Sequence, residues 1–367
     1  QKYPMTRFKA CSVHERLDAD NYVYIIMAVW EDVQSITPAR YIARSRCISV
    51  RGRTYDNGRV INAKKIVMCT TEQDYKIMKK TYTAEKKTII KLFKSKKGYL
   101  DKHFILYILE LFANKTSLKG VSGMEDLYMQ SKQFINSLFG MCVTDLIQPE
   151  ISYDNITSWD SGKTDVNTAL AEKQKKFYKN ILAYQWGVWV TAYARSDLWA
   201  SIIHIDTDCV YYDTDSCKIK NPAKYIEFFK DRDRQTVQML QNMCTHYNID
   251  MLLTCPKTPD GLPQQLGVWD YEADYKQFIT LGAKRYCYTD DEGLHITVSG
   301  VPKKAAKTLK DIYEFCDGFE FSRDVSGKKL LYYLDGNTYQ CTMPDGYKVT
   351  QQNSVCMRNN GYDMSVT

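Results

Sequence analysis

The chain has 367 residues and a mass of 42.6 kDa, with 50 Lys and Arg against 43 Asp and Glu for a formal charge of +7. That length allows one large core or two to three ordinary ones, and the modest basic excess is compatible with a polyanionic partner without requiring one. No apolar run is long enough to span a bilayer and no secretory signal opens the sequence, so it reads as cytoplasmic. Twelve cysteines are scattered singly from Cys11 to Cys356 with no CxxC pair, which argues against zinc and, in a reducing compartment, against disulfides.

In chain order, Tyr22–Trp30 is rich in Tyr, Val and Ile and predicts a buried strand. Asp56-Asn57-Gly58 predicts a tight hairpin into the alternating strand Val60–Cys69. Thr71 and Asp74 stand at capping-box spacing, with Asp in place of the usual Glu, and predict the start of a helix running through Tyr82. Between Lys76 and Lys102 ten lysines face only Glu85 and Asp101, interleaved with Tyr82, Phe93 and Tyr99. This run reads either as a solvated basic helix or as a nucleic-acid track with rings for stacking.

An apolar helix is predicted over Asp101–Phe112, a loop over Asn114–Gly123 carrying Lys115 and Lys119, and a second helix from Met124 to Phe139. On that second helix Tyr128, Lys132, Asn136 and Phe139 share one stripe, and Leu127, Phe134 and Leu138 share the opposite one. Its front can offer an ammonium to phosphates, an amide to a sugar or base, and a ring to stack on; the plainer reading is an amphipathic surface helix. Met141–Lys179 reads as a β-like start, a turn at Trp159-Asp-Ser-Gly162 and a charged helical run. A long apolar helix follows over Tyr178–Ile203, where Gly187, Ala192 and Ala194 permit close packing on a sheet. Asp206-Thr207-Asp208 reads as a turn, Pro222–Asn248 as an acid–base helix, and Leu266–Tyr275 and Ile279–Tyr288 as strands. The part beyond Gly300 opens with Lys303, Lys304, Lys307 and Lys310, a basic surface.

The chemistry concentrates in Val210–Ile219, which places Asp213 and Asp215 two residues apart in a segment of high β-propensity. Period-two geometry points both carboxylates to one side, where two charges roughly 6–7 Å apart repel by about 2–3 kcal/mol at an effective dielectric of 20. Such a pair wants a cation, and hard oxygen ligands favour Mg²⁺ or Mn²⁺. The same Asp-x-Asp pattern also reads as a polar turn, or as the metal–nucleotide-sugar site of a glycosyltransferase.

Tyr211-Tyr212-Asp213-Thr214-Asp215-Ser216 resembles the carboxylate hairpin, motif C, of family B DNA polymerases. The resemblance implies Asp215 as the principal metal ligand, Asp213 as the auxiliary one, and Tyr212 and Thr214 beside the primer. Lys132-Gln-Phe-Ile-Asn136-Ser137-Leu-Phe139-Gly140 is similar to motif B, Lys-x-x-x-Asn-Ser-x-Tyr-Gly, with Phe139 where the family has Tyr. Asn114-Lys115-Thr116 resembles the pre-motif lysine of the protein-primed branch, and Gly282-Ala-Lys284-Arg-Tyr286 the family's Lys-x-Tyr motif. By implication Lys115, Lys132, Asn136, Ser137, Phe139 and Gly140 bind the incoming dNTP, while Lys284 and Tyr286 seat the primer.

The fold implied is α+β, a right hand with an antiparallel-sheet palm, helical fingers, two insertions and a small thumb. Its parts are a palm segment at 1–36, an insertion resembling terminal-protein region 1 at 37–97, fingers at 98–140, an insertion resembling region 2 at 141–180, palm with the catalytic hairpin at 181–299, and thumb at 300–367. The implied activity is template-directed addition of dNTPs to a primer hydroxyl by two divalent metals, Mg²⁺ or Mn²⁺. The implied partners are primer–template DNA, dNTPs and a terminal protein, in a host bacterial cytoplasm and with no membrane. The family's first carboxylate motif, an Asp followed by Ser-x-Tyr-Pro, aligns just ahead of Tyr3-Pro4, so that Asp and the exonuclease domain are expected outside these 367 residues, which alone are expected to be inactive. The alternatives are a non-catalytic DNA-binding fragment, one half of a split polymerase, and a metal-dependent glycosyltransferase.

Overall fold

Strand formation dominates the first hundred residues because β-branched and aromatic side chains alternate there with polar ones. A computed structural model describes residues 1–56, 58–144, 150–154, 158–162, 165–175, 183–299, 301, 303–322, 338–342, 348–352 and 354–356. Strands β1 (Tyr3–Pro4), β2 (Lys9–Cys11), β3 (Tyr22–Ser35), β4 (Cys47–Asp56), β5 (Arg59–Thr71) and β6 (Tyr82–Gly98) form one antiparallel sheet in the order β1-β6-β3-β5-β4, with β2 also paired to β6. Asp56 pairs directly with Arg59, and Gly58 has φ 68, the left-handed conformation that a two-residue hairpin loop demands. Asn57 lies outside the described residues.

The basic run departs from its helical reading. Only its first residues belong to helix α1 (Glu72–Thr81); from Tyr82 onward it is β6, paired along its length with β3. The β-branched Thr83, Thr88, Ile89 and Ile90 suit a pleated strand, and β3 supplies a ladder that a helix would forfeit. Lys86, Glu31, Lys65 and Arg51 consequently line up across β6, β3, β5 and β4, with Lys65 and Glu31 paired at 3.2 Å.

Five further helices are described: α2 (Lys102–Ser117), α3 (Glu125–Cys142), α4 (Val166–Lys175), α5 (Tyr184–Ile205) and α6 (Ile226–Tyr247). None is long and apolar enough to cross a membrane. Asp101 caps α2 by accepting from the backbone N–H groups of His103 and Phe104. Short antiparallel hairpins complete the chain: β7 (Glu150–Asp154) with β8 (Ser158–Gly162), β9 (Cys209–Asp213) with β10 (Ser216–Ile219), the meander β11 (Gln277–Gly282), β12 (Arg285–Thr289), β13 (Leu294–Val298), then β14 (Glu320–Ser322) with β17 (Ser354–Cys356) and β15 (Thr338–Thr342) with β16 (Lys348–Gln352). Trp159–Gly162 is therefore strand rather than turn. No strand covers Leu266–Tyr275, and Ile279–Tyr288 is two strands, because Gly282 and Lys284 take positive φ and turn the chain back. Much of the expected thumb and second insertion lies outside the described residues; Lys303–Thr308 within the former is a 3-10 segment.

One face of the large sheet buries Tyr24, Ile26, Ala28 and Trp30 against Ile77 and Met78 of α1 and Leu198, Trp199 and Ile202 of α5. Inside this layer Asp74 is nearly buried and is held by Arg195, whose Nε and Nη2 donate at 2.8 and 3.0 Å, with Tyr41 and Thr71 donating as well. The Thr71 cap forms as its spacing predicts, its hydroxyl accepting from the Asp74 N–H at 3.2 Å. The Asp74 carboxylate, however, turns to the arginine of another helix. Burial alone would raise the Asp74 pKa, but the hydrogen bonds and charge of Arg195 outweigh it and hold the carboxyl below its usual value.

A carboxyl with a depressed folded-state pKa contributes stability above its unfolded value and loses it as pH falls through the folded one. Arg195→Ala is expected to cost about 3 kcal/mol at pH 7, since it strands a buried charge. Near pH 4 that cost should shrink, because Asp74 then keeps the hydroxyl bonds of Tyr41 and Thr71 but not the arginine's charge, and burial makes it protonate more readily. Urea denaturation of both proteins at the two pH values checks this, and an equal cost at both would show that Asp74 does not carry the effect.

Candidate functional site

The carboxylate pair is not carried on one continuous strand. β9 ends at Asp213, Ser216 opens β10 directly opposite it, and Thr214-Asp215 form the connecting two-residue loop. Thr214 has φ 52, a conformation a β-branched residue adopts only at a cost of roughly 1–3 kcal/mol. The tip is tied by the Asp215 N–H donating to the Asp213 carbonyl at 2.6 Å and by the Thr214 hydroxyl donating to Asp213 Oδ1 at 3.0 Å. Asp215 is thereby left exposed, while Asp213 is half-buried.

Period two does hold within β9 and sorts the tyrosines. Tyr212 turns inward to pack on the core, with its ring 5.7 Å from that of Trp199. Tyr211 lies on the same side as Asp213, and its hydroxyl is 3.5 Å from Asp213 Oδ2. The motif resemblance singles out Tyr212, yet Tyr211 is the ring that reaches the carboxylate; strand alternation counted back from Asp213 is the signal that finds it.

The loop between β11 and β12 closes on this hairpin. Lys284, with φ 53, donates its backbone N–H to the Tyr211 hydroxyl at 2.9 Å and its Nζ to Asp213 Oδ2 at 2.7 Å. Tyr286 stacks beside them, 4.9 Å from the Tyr211 ring and 5.3 Å from Phe278. Burial pushes the Tyr211 phenol up, so it remains a neutral donor and acceptor bridging lysine amide and carboxylate. The Lys-x-Tyr segment and the Asp pair, some seventy residues apart in sequence, are thus one cluster.

From Asp215 an open groove of about 1290 Å³ runs along β10, lined by Lys218, Phe229, Asp233, Trp269 and Tyr275. Lys218 sits within it on Glu272 at 2.6 Å; burial lowers its pKa, but the hydrogen bonds and charges of Glu272 and Tyr275 together more than reverse this and the ammonium stays charged. Asp206–Asp208 forms a 3-10 turn, and Asp208 accepts from the Tyr225 hydroxyl at 2.7 Å. Among the described residues no three of His, Cys, Asp and Glu stand together as a ready metal cluster.

The second set of candidate residues lies on the α2–α3 hairpin. Lys115 is in the last turn of α2, not in a loop, because the helix continues to Ser117. Lys132, Asn136, Ser137 and Phe139 are exposed on α3, with the Lys132 ammonium 5.9 Å from the Tyr128 ring, and Gly140 is half-buried. The expected apolar back is not the packed face: Leu127 and Phe134 are exposed, while Ser131 and Cys142 are buried. α3 meets α5 at Gly187, where a β-carbon would stand 2.2 Å from Val143 Cγ1. That glycine serves helix-on-helix approach rather than packing on the sheet.

No protein-family model matches the sequence, and no curated protein matches it either. By shape, the chain has a DNA-polymerase-like fold. It superposes on Phi29 DNA polymerase in an orthorhombic crystal form with a TM-score of 0.62 at 15% identity, on the same enzyme complexed with primer–template DNA in a post-translocation binary complex with 0.63 at 14%, and on its ternary complex with primer–template DNA and incoming nucleotide substrates with 0.59 at 16%. Each match covers 98% of this chain and 55% of the other, so the chain spans about half the length of these structures. At such identity the likeness is one of fold.

The Tyr211 hydroxyl is the hinge of the cluster, so Tyr211→Phe should remove the hydrogen bond it accepts from the Lys284 N–H and cost about 1–2 kcal/mol. Hydrogen exchange at the Lys284 amide should quicken in the variant, with the thermal midpoint lowered. Unchanged exchange would mean that the two hairpins are held together without this bond.

Proposed function

We propose that the chain is the polymerising part of a template-directed DNA polymerase of family B, of the protein-primed type. The observation that carries this reading is the meeting of the Asp213–Asp215 hairpin with Lys284 and Tyr286 on a polymerase-like fold. Residues 1–36 and the 181–299 elements act as palm, α2 and α3 as fingers, 37–97 and 141–180 as insertions, and the part after 300 as thumb.

Asp215, exposed on the hairpin tip, and Asp213 beside it offer the hard oxygens that Mg²⁺ or Mn²⁺ prefers, and would hold it there. The donor chemistry fits. The donor number is short, since two carboxylates leave most of a six-coordinate shell to water, substrate and a further protein ligand. When bound, the metals would make the primer hydroxyl nucleophilic and neutralise the triphosphate. The chain's own groups do the positioning. Lys132 and Lys115 place ammonium charge where phosphate charge grows, Asn136, Ser137 and Gly140 line the nucleotide's bed, and the Phe139 ring stacks without the hydroxyl of a tyrosine. Lys284, Tyr286 and Thr214 seat the primer end, with Tyr212 supporting the hairpin from the core side. DNA backbone is held by lysines of β6 such as Lys86 and Lys91, which stand exposed on the sheet. Partners are primer–template DNA, dNTPs and a terminal protein. The short carboxylate set favours a second reading, a DNA-binding part that completes its site with another polypeptide.

Residues 1–367 should bind primer–template DNA in a gel shift, with affinity falling steeply as salt rises, and should not extend the primer alone with Mg²⁺. In any form of the protein that does extend, Asp215→Asn should abolish incorporation and leave DNA binding intact, and Asp213→Asn should hurt less. Absence of salt-dependent DNA binding would overturn the reading in favour of a glycosyltransferase-like use of the Asp pair.

Lys132→Ala in an extending form should raise the KM for dNTP about tenfold or more while DNA affinity changes little. Steady-state extension across nucleotide concentrations decides it. A normal KM with weakened DNA binding would move Lys132 to the duplex-binding surface.

A further inference from the structure

A lysine whose task is only to meet DNA gains nothing from resting on a candidate metal-binding carboxylate, yet Lys284 places its ammonium there and ties its backbone to the neighbouring tyrosine. Its Nζ lies 2.7 Å from Asp213 Oδ2, and its backbone N–H is anchored on Tyr211, the residue that shares Asp213's side of β9. The residue is also held at φ 53, outside the comfortable range of a lysine. The Asp213 side chain retains 27% of its exposure and that of Lys284 57%, so the pair is partly desolvated on the acid's side and open to water on the base's side. The ammonium can therefore leave without unfolding anything, whereas the carboxylate cannot turn to solvent as freely. Asp213 Oδ1 is taken by the Thr214 hydroxyl at 3.0 Å, whereas Oδ2 has a longer 3.5 Å contact with the Tyr211 hydroxyl; Oδ2 is the better oxygen for a cation, and that is the one Lys284 occupies.

We propose that Lys284 is an internal counter-ion that keeps the hairpin's cation site closed until anionic DNA draws it away from Asp213. This deepens the polymerase reading and rests on its assignment of Asp213 and Asp215 as cation ligands. A unit charge at the carboxylate competes directly with a divalent ion for the same oxygen. When primer–template phosphates compete for the ammonium, Asp213 is released to the cation. Metal uptake then follows DNA binding, and by linkage the cation strengthens DNA binding by the same factor. The chain alone would stay nearly metal-free, and its carboxylates would not hold a cation in the wrong geometry.

The test reads metal binding and needs no catalysis. Mn²⁺ is titrated into residues 1–367 without DNA, and free Mn²⁺ is followed by electron paramagnetic resonance for the wild type, Lys284→Met, Lys284→Arg and Asp215→Asn. Lys284→Met should bind Mn²⁺ about three- to fivefold more tightly than wild type, the gain expected for removing a partly exposed ion pair. Lys284→Arg, which keeps the charge, should bind as weakly as wild type and, with circular dichroism, shows that the loop tolerates substitution. In an Asp213→Asn background the gain from Lys284→Met should vanish, because the oxygen it frees is gone. Equal Mn²⁺ affinity for wild type and Lys284→Met, with Asp215→Asn still abolishing binding, overturns the counter-ion role and leaves the metal site standing. A gain that persists in the Asp213→Asn background overturns it as well, since Lys284 would then act only as a nearby charge. If Asp215→Asn leaves Mn²⁺ binding unchanged, the ligand assignment fails and the counter-ion role with it.

Discussion

The burial of α5 is the constraint on which the rest of the molecule depends. Its sequence is apolar on more than one side, with Trp189, Ala192, Leu198, Trp199, Ile202 and Ile205 all buried, and such a helix is stable in water only when other elements cover it. Along its length α5 is accordingly tied to several distant parts of the chain. Trp186 donates to the carbonyl of Pro4 and Tyr193 to that of Lys2, which holds β1; Trp189 donates to the buried Glu72 and Arg195 to Asp74, which holds α1. Gly187 admits the end of α3, and Trp199 supports Tyr212 beneath the carboxylate hairpin. The α2–α3 hairpin and the Asp213–Asp215 hairpin share no sequence neighbourhood, but both are positioned from this one helix.

At the site itself, geometry is held against local preference. Thr214 and Lys284 both take positive φ where glycine would be easier, and they face each other across Asp213. Backbone strain of roughly 1–3 kcal/mol at each persists only because neighbours enforce it, and it gathers where a functional group must be aimed. Here the strained lysine reaches both the tyrosine and the carboxylate, and the strained threonine turns the chain so that Asp215 faces solvent while Asp213 faces Lys284. The two carboxylates therefore meet different environments despite their nearness in sequence, one open and one countered by charge.

Much of this was legible from residues alone. Richness in Tyr, Val and Ile predicted β3, alternation predicted β5, the Asp56-Asn57-Gly58 turn predicted the β4–β5 hairpin, the Thr71–Asp74 spacing predicted the α1 cap, and the run around Asp213 and Asp215 marked the candidate site. Those signals are local: period, turn residues and caps act within a few positions, so they survive in any fold that contains them. The misreadings share a cause as well. The lysine-rich stretch from Tyr82 was ambiguous between helix and strand, and β3 decided it by offering a ladder. The strand expected over Ile279–Tyr288 was broken by backbone conformations at Gly282 and Lys284 that no propensity scale foresees.

What the sequence determined by itself was therefore the presence of an acidic pair in a β-rich setting, a lysine-bearing helix and a basic strand or helix, because residue type and short-range periodicity are sufficient for each. Only the tertiary structure decided which groups meet. The pairing of Lys284 with Asp213, the choice of Tyr211 over Tyr212 at the carboxylate, the capture of Asp74 by Arg195 and the use of Gly187 against α3 rather than the sheet all join residues far apart in the chain. Such contacts form when buried apolar surface brings whole elements together, and side-chain charge then finds its partner within the space that packing leaves. Local pattern carries no information about that space, which is why the ligand-like residues could be named from the sequence and their electrostatic state could not.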